Sequence, residues 1–444
     1  MYGNSPEPSN HHDDRMIAFM IVAGFPLLTT ATEGDSHFHE LLIFSAFVFI
    51  MDKPLRTNLS PQCGAMDAEG LINTRASSAR PADAKAYNRI KLSLSIASSV
   101  LSLALIVFLV ASGLTRTLAA WSTAAVSGEY VALILFAVAL GAMQSVLALP
   151  LGWYSSYVVE HRFGLSNQSL TRWVWEHCKG VLVSAPLMAA VLCVLYYCLR
   201  TYGSWWWVPV GIAVTLLTVV LARLAPVLIM PLFYRFTPIG EGSLKERILR
   251  LCVDAGVRID GIFSFNLSKN TRKANAAFTG IGRSRRIILG DTLVRDFSEE
   301  EIETVFAHEL GHYRFGHIRK GIAAGTLLTF TGLFAASLLY AWSLTLFGYA
   351  SPADLGALPM LAVWLSLFGL VTSPLGNLLS RRHEREADRY AVASTGKREA
   401  FVSALRKLGA MNLADPDPHP LVEFLFYSHP PITKRIRAVE AGPG

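Results

Sequence analysis

Six long apolar runs decide what this chain can fold into. Residues 92–113, 131–151, 180–199, 205–228, 322–346 and 358–379 are each long enough to cross about 30 Å of hydrocarbon as a helix. Inside a bilayer every backbone N–H and C=O must find its partner within the protein, so such runs fold as helices. Only 16% of the 444 residues are charged, against about 25% in a soluble domain. Residues 16–31 and 41–51 are also apolar, but Gly24, Pro26 and the polar stretch 33–40 interrupt them. That region reads as a crossing, a signal peptide or a re-entrant pair. The expectation is an α-helical polytopic membrane protein with about seven transmembrane helices, in a bacterial inner membrane or the endoplasmic reticulum. Its first partner is the lipid bilayer. The net charge of +7 is then read through loop location, and no nucleic-acid partner is expected.

Polarity divides the chain into five regions: 1–90, an N-terminal region with a polar loop over 52–90; 91–228, a transmembrane domain; 229–320, polar and basic; 321–379, a transmembrane hairpin; and 380–444, again polar and basic. The tripeptide Trp205-Trp206-Trp207 reads as an interfacial anchor. Short strands are expected over 262–266, 276–279 and 286–289. Two crossings return a chain to the side it left, so 229–320 and 380–444 share one face of the membrane. Both are rich in Lys and Arg, which puts that face in the cytoplasm. Five cysteines, Cys63, Cys178, Cys193, Cys198 and Cys252, lack ligand-type spacing and read as small hydrophobes.

The chemistry is carried by His308-Glu309-Leu310-Gly311-His312. This H-E-x-x-H pattern sets two imidazoles one helical turn apart, where they can grip one zinc ion. Glu309 is placed to act on a water in the open coordination position as general base. Ser298 followed by Glu301 reads as a capping box. Ile302, Val305, Phe306, Leu310 and Tyr313 form an apolar stripe that gives this helix a packed back. His317, five residues after His312, is expected to face away from the metal.

A catalytic zinc needs a third protein ligand. Ser380-Arg381-Arg382-His383-Glu384-Arg385-Glu386-Ala387-Asp388 offers several metal-capable groups. Glu384 and Asp388 share one helix face, so Glu384 can bind zinc while Asp388 holds an imidazole N–H. His383 and Glu386 point about 100° and 200° away from Glu384. His429 stands before two prolines, a setting that alone suggests a loop residue.

These motifs resemble the integral-membrane zinc endopeptidases of the CAAX prenyl protease 1 family. The matching pieces are H-E-L-G-H at 308–312, S-R-R-x-E-x-x-A-D at 380–388, and S-H-P-P with Arg435 at 428–435. N-A-x-F-T-G at 275–280, E-x-R-F-G at 160–164 and P-L-F-Y-R-F at 231–236 also match. The resemblance spans about residues 90–440. It implies a membrane-embedded fold with a cytosolic, mainly helical zincin-type domain carrying a small β-sheet. It implies His308, His312 and Glu384 as ligands of one zinc and Glu309 as base. It further implies that His429 and Arg435 face the scissile carbonyl or bind substrate, and that Asn275 and Ala276 lie on an edge strand that pairs with substrate backbone. Positions 383 and 386 depart from the family, which more often has an aromatic and Gln there.

The expected function is a membrane zinc metalloendopeptidase acting on a peptide or protein substrate. In the eukaryotic family that substrate is a prenylated C-terminal CAAX tail. An HtpX-like quality-control protease shares the same site but has fewer crossings. A non-catalytic scaffold or transporter is the reading from another class, and it has no use for Glu309, which is not a ligand.

Overall fold

A computed structural model describes residues 81–279 and 286–442. The apolar stretches at 16–31 and 41–51, and Cys63, lie outside the described residues. Among the described residues, six helices are long and apolar enough to cross a membrane: Ala82–Ala111, Glu129–Arg162, Leu170–Thr201, Gly203–Phe233, His317–Phe347 and Leu358–Thr395.

The membrane part is built from α1 (Pro81–Ala111), the short α2 (Leu114–Ala125), α3 (Glu129–Trp153), α4 (Leu170–Thr201) and α5 (Trp207–Leu224). Both α3 and α5 continue through a π-helical turn, at Tyr154–Val159 and Ala225–Ile229. Residues 81–90, expected in a loop, instead form the first turns of α1. The reason is packing on one face: Ala84 and Tyr87 are buried against Val159, Leu165 and Leu413, while Asp83, Lys85 and Arg89 are exposed.

A small sheet follows, from β1 (Phe236–Pro238), β2 (Gly261–Phe265), β3 (Ala276–Thr279) and β4 (Arg286–Gly290), in the order β1-β2-β4-β3. The three expected strands are present within one residue at each end, and β1 is an addition. Pro238 cannot donate to a ladder, which suits β1 to an edge. The β2–β4 pair is parallel; the outer pairs are antiparallel. This leaves β3 at the other end of the sheet. Helix α6 (Ser243–Asp254) precedes β2, and α7 (Asp291–Asp296) leads from β4 into α8 (Glu299–Arg314).

Helix α8 begins with the capping box: Ser298 Oγ accepts from Glu301 N, and Glu301 Oε2 accepts from Ser298 N at 2.8 Å. Its apolar stripe is sealed, with Ile302, Phe306 and Leu310 at most 1% exposed. Each such side chain contributes about 1.5–3 kcal/mol on leaving water. The hairpin α9 (His317–Phe347) and α10 (Leu358–Thr395) comes next, then α11 (Arg398–Met411), α12 (Pro420–Phe426) and α13 (Ile432–Ala441).

The segments on either side of the hairpin share one core. Ile287, Leu289, Leu293 and Phe306 from the first pack with Phe401, Leu405 and Val439 from the second. A polar latch ties this domain to the membrane helices. Glu160 accepts from Tyr87 Oη at 2.6 Å and pairs with Lys91 and Lys273 at 3.3 and 3.2 Å. Lys273 stands three residues before β3, so the latch fixes the approach to that strand. Removing one partner of a buried ion pair costs about 3–5 kcal/mol.

Candidate metal centre

Two helices meet at the centre. Gly311, the second variable position of H-E-L-G-H, lets α8 approach α10 closely: a Cβ there would sit 3.1 Å from Ala387 Cα and 3.3 Å from its carbonyl oxygen. Because the obstacle is largely backbone, any larger residue would push the two helices apart by a few tenths of an ångström. The close approach sets Glu384, one turn before Asp388, over the two α8 histidines.

The ligand-capable atoms converge. His308 Nε2 and His312 Nε2 lie 3.2 Å apart. Glu384 Oε1 is 3.1 Å from His312 Nε2, and Glu384 Oε2 is 3.4 Å from His308 Nε2. A tetrahedral zinc at about 2.0–2.1 Å from each donor sets its ligand atoms about 3.3–3.4 Å apart. The three residues are buried and form the metal-capable group found among the described residues. Glu384 Oε2 is buried and accepts no hydrogen bond. Its basic neighbours, His308 Nε2 at 3.4 Å and Arg435 Nη1 at 3.5 Å, are long contacts for a buried carboxylate, and a metal ion held between it and the imidazoles would complete its coordination. The donor set therefore fits zinc.

Each imidazole is held from behind. His308 Nδ1 lies 2.9 Å from Asp388 Oδ1. This matches the carboxylate support that fixes a ligating tautomer, leaving Nε2 for a metal. Burial alone would lower the proton affinity of His308, but Glu384 and Asp388 outweigh it and hold the metal-free imidazole at about 10. His312 Nδ1 lies 2.9 Å from His317 Nδ1, and His317 Nε2 lies 3.1 Å from Glu386 Oε2. With the His312 Nδ1 proton donated to His317, and the His317 Nε2 proton donated to Glu386, both rings keep one consistent tautomer.

His317 was expected to face away from the metal; it is outside the converging ligand atoms, but it stands directly behind His312, a contact the spacing did not suggest. Helix α8 ends at Arg314, and Gly316 takes a left-handed φ of 67°. The chain turns there, so the spacing of five is not a helical spacing and the ring swings back onto His312. Gly316 was the signal, since a glycine after a helix favours that conformation. The two departures from the family pattern belong to this cluster. His383 stacks on His317, with ring centres 3.9 Å apart, and Glu386 is the acceptor of His317 Nε2. Neither is in the group of converging ligand atoms.

Glu309 projects from the same turn of α8 and is half-buried. Burial pushes its carboxyl above the usual range, opposed by the nearby imidazoles of His308, His312 and His429. His429 reaches the site from the loop between α12 and α13, with Nε2 3.4 Å from Glu384 Oε1. That loop is pinned by the Arg381 guanidinium, which donates to the carbonyls of Glu423 and Tyr427.

Arg435 on α13 grips Asp388 in a two-point contact, Nε to Oδ2 at 2.9 Å and Nη2 to Oδ1 at 2.6 Å. Its Nη1 lies 3.5 Å from Glu384 Oε2. Its main engagement is thus with the carboxylate that holds His308. Ala276 opens β3, which packs against α8. Asn275 immediately precedes it, and its carbonyl accepts from Gly290 N at 2.8 Å.

Comparison with known proteins agrees with this architecture. Residues 72–235 match the family described as CAAX prenyl protease N-terminal, five membrane helices, and residues 238–442 match peptidase family M48. A protein named uncharacterized metalloprotease YhfN, from Bacillus subtilis, is 30% identical over 361 residues, covering 80% of this chain and 84% of that protein. The chain belongs to peptidase family M48. Within this family, CAAX prenyl protease 1 of Saccharomyces cerevisiae is 30% identical over 324 residues, 68% of this chain and 70% of that protein. The crystal structure of S. mikatae Ste24p superposes with a TM-score of 0.72 at 27% identity, covering 80% of this chain and 88% of that one. This M48 member is a multi-pass membrane zinc metalloprotease acting on peptide or protein substrates. The family's N-terminal and peptidase matches meet between 235 and 238, where the chain leaves α5 and enters the sheet.

Proposed function

We propose that one zinc per chain, held by His308, His312 and Glu384, serves hydrolysis near the C-terminus of membrane-associated, prenylated substrates. The convergence of those three side chains, with Glu384 Oε2 buried and without a hydrogen bond, supports the metal assignment. When bound, zinc supplies the Lewis acid that polarises the scissile carbonyl and acidifies water. Glu309 takes the proton of the attacking water and delivers it to the leaving amine. Burial, by raising its carboxyl, brings it closer to the pKa that such a base needs. His429 donates to the oxygen that gains charge in the transition state. Arg435 holds Asp388, which orients His308, and keeps Nη1 on the site side. The outer edge of β3, the last strand of the sheet, pairs with extended substrate backbone at Asn275 and Ala276.

The prenylated substrate class is supported by the yeast relative's name, CAAX prenyl protease 1, and by motifs shared through the membrane part. The Bacillus relative covers more of the chain and its name carries no substrate, so a membrane-associated but unprenylated substrate is the alternative that paired peptides separate. The Lys and Arg excess of 229–320 and 380–444 supports a cytoplasmic catalytic domain. A matched pair of peptides, farnesylated and not, tests the reading on purified protein. The farnesylated peptide should be cleaved at least about tenfold faster, and Glu309→Gln should cut turnover by about 10²–10⁴-fold while retaining zinc. Equal cleavage of the pair would remove prenyl specificity. A Glu309→Gln rate equal to wild type would remove the assigned base.

A further inference from the structure

The P-L-F-Y-R-F stretch at 231–236 takes no part in the chemistry above. It walls a cavity of about 710 Å³ where the first turns of α4 face the end of α5 and the loop after β2. Four cations line that cavity, Arg172, Lys179, Arg235 and Lys269, with one carboxylate, Glu176. Glu176 is shared: Oε2 lies 2.8 Å from Lys179 Nζ and Oε1 lies 3.5 Å from Lys269 Nζ. The motif's rings hold the two ammonium groups in place. Lys179 stands 5.1 Å from the centre of Phe233, and Lys269 stands 4.9 Å from the centre of Tyr234. Lys269 also donates to the Phe233 carbonyl. Arg172 and Arg235 are exposed and have no ion pair among the described residues.

The cations feel one another. Burial first, and then the charges of Lys179 and Arg172, lower the Lys269 ammonium from its ordinary value, against the pull of Glu176. A concentration of like charge maintained by ring and carbonyl contacts fits an anion. Its depth also fits. Helix α4 has 32 residues, about 48 Å at 1.5 Å each, against about 20 residues needed to cross hydrocarbon. Its first turns, bearing Arg172, Glu176 and Lys179, precede the apolar run at 180–199, and the Glu176–Lys269 contact puts them on the side of the catalytic domain. Trp175, exposed on the same turns, is a side chain suited to the headgroup layer.

We propose that this cavity binds the phosphate group of an anionic phospholipid headgroup, at the junction between the membrane helices and the catalytic domain. Two unengaged guanidiniums can each present a planar fork to phosphate oxygens. The lysines and Glu176 form the floor. A soluble phosphate ester shares this chemistry; the depth of the cavity at the headgroup layer favours the lipid. The site is separate from the peptidase reading and does not depend on it.

The full chain in nanodiscs of phosphatidylcholine with a minor fraction of phosphatidylglycerol tests the proposal, with retained lipid read by native mass spectrometry. Wild type should retain phosphatidylglycerol selectively. Arg172→Gln combined with Arg235→Gln should reduce that selectivity on the order of tenfold or more, since each basic residue near an anionic surface adds severalfold to binding. Glu176→Gln should raise it, a change of sign that a misfolded variant does not give. Inorganic phosphate is the competing arm. Displacement of the lipid by millimolar phosphate would overturn the headgroup as the source. Equal retention of both lipids by wild type, or unchanged selectivity in the double variant, would overturn the site.

Discussion

At the scale of residues, the centre is a pair of histidines with unlike supports. Asp388 stands behind His308, and His317 with Glu386 stands behind His312. The carboxylate support was legible in sequence, because Glu384 and Asp388 are one turn apart on one helix. The His317 support was not, because its geometry depends on the turn at Gly316, and a periodic reading carries the helix straight through it. Supports of this kind are worth about 10–100-fold in metal affinity. His317→Ala should therefore weaken zinc binding by about that factor, measured by competition with a chromophoric chelator. Affinity equal to wild type would show that the contact does not orient His312. Arg435 also makes a contact that no local pattern encodes: across 47 positions its guanidinium closes on Asp388, with Nη1 left 3.5 Å from Glu384 Oε2.

At the scale of elements, α8 and α10 cross at one glycine. The sequence shows H-E-L-G-H as a metal pattern, and the pattern says nothing of why its fourth position is Gly. The crossing supplies the reason, since a side chain there meets the Ala387 backbone. Gly311→Ala should separate the helices by a few tenths of an ångström, costing about 1–3 kcal/mol as overpacking does, and should reduce zinc content with it. Thermal unfolding and metal analysis of the detergent-solubilised variant check both; a variant with wild-type melting and full zinc would show the contact to be slack. The start of α8 was readable from Ser298 and Glu301, because a capping box is local. The start of α1 was not, because residues 81–90 continue a polar, basic stretch and are helical through long-range burial of Ala84 and Tyr87 against the π-helical turn after α3, the loop that follows it and the residues just past α11.

At the scale of the whole molecule, the hairpin α9–α10 is the device that assembles the site. It sends the chain through the membrane and back, so that α10 can lay Glu384 beside the histidines of α8 after an excursion of more than 70 residues. The six spans were legible because hydrocarbon admits few solutions; the shared core of 229–320 and 380–444 was legible only as a consequence of counting crossings. Single cysteines introduced on exposed positions of α6 and α13 should both react with a membrane-impermeant maleimide from the cytoplasmic side alone, and labelling of the two from opposite sides would break the assembly. The central claim is narrower: residues from both sides of the hairpin hold one metal. Zinc content of purified Glu384→Ala tests it most directly. The account predicts about one zinc per chain in wild type and in Glu309→Gln, and almost none in Glu384→Ala. A full complement of zinc in Glu384→Ala, measured on folded protein, would contradict it.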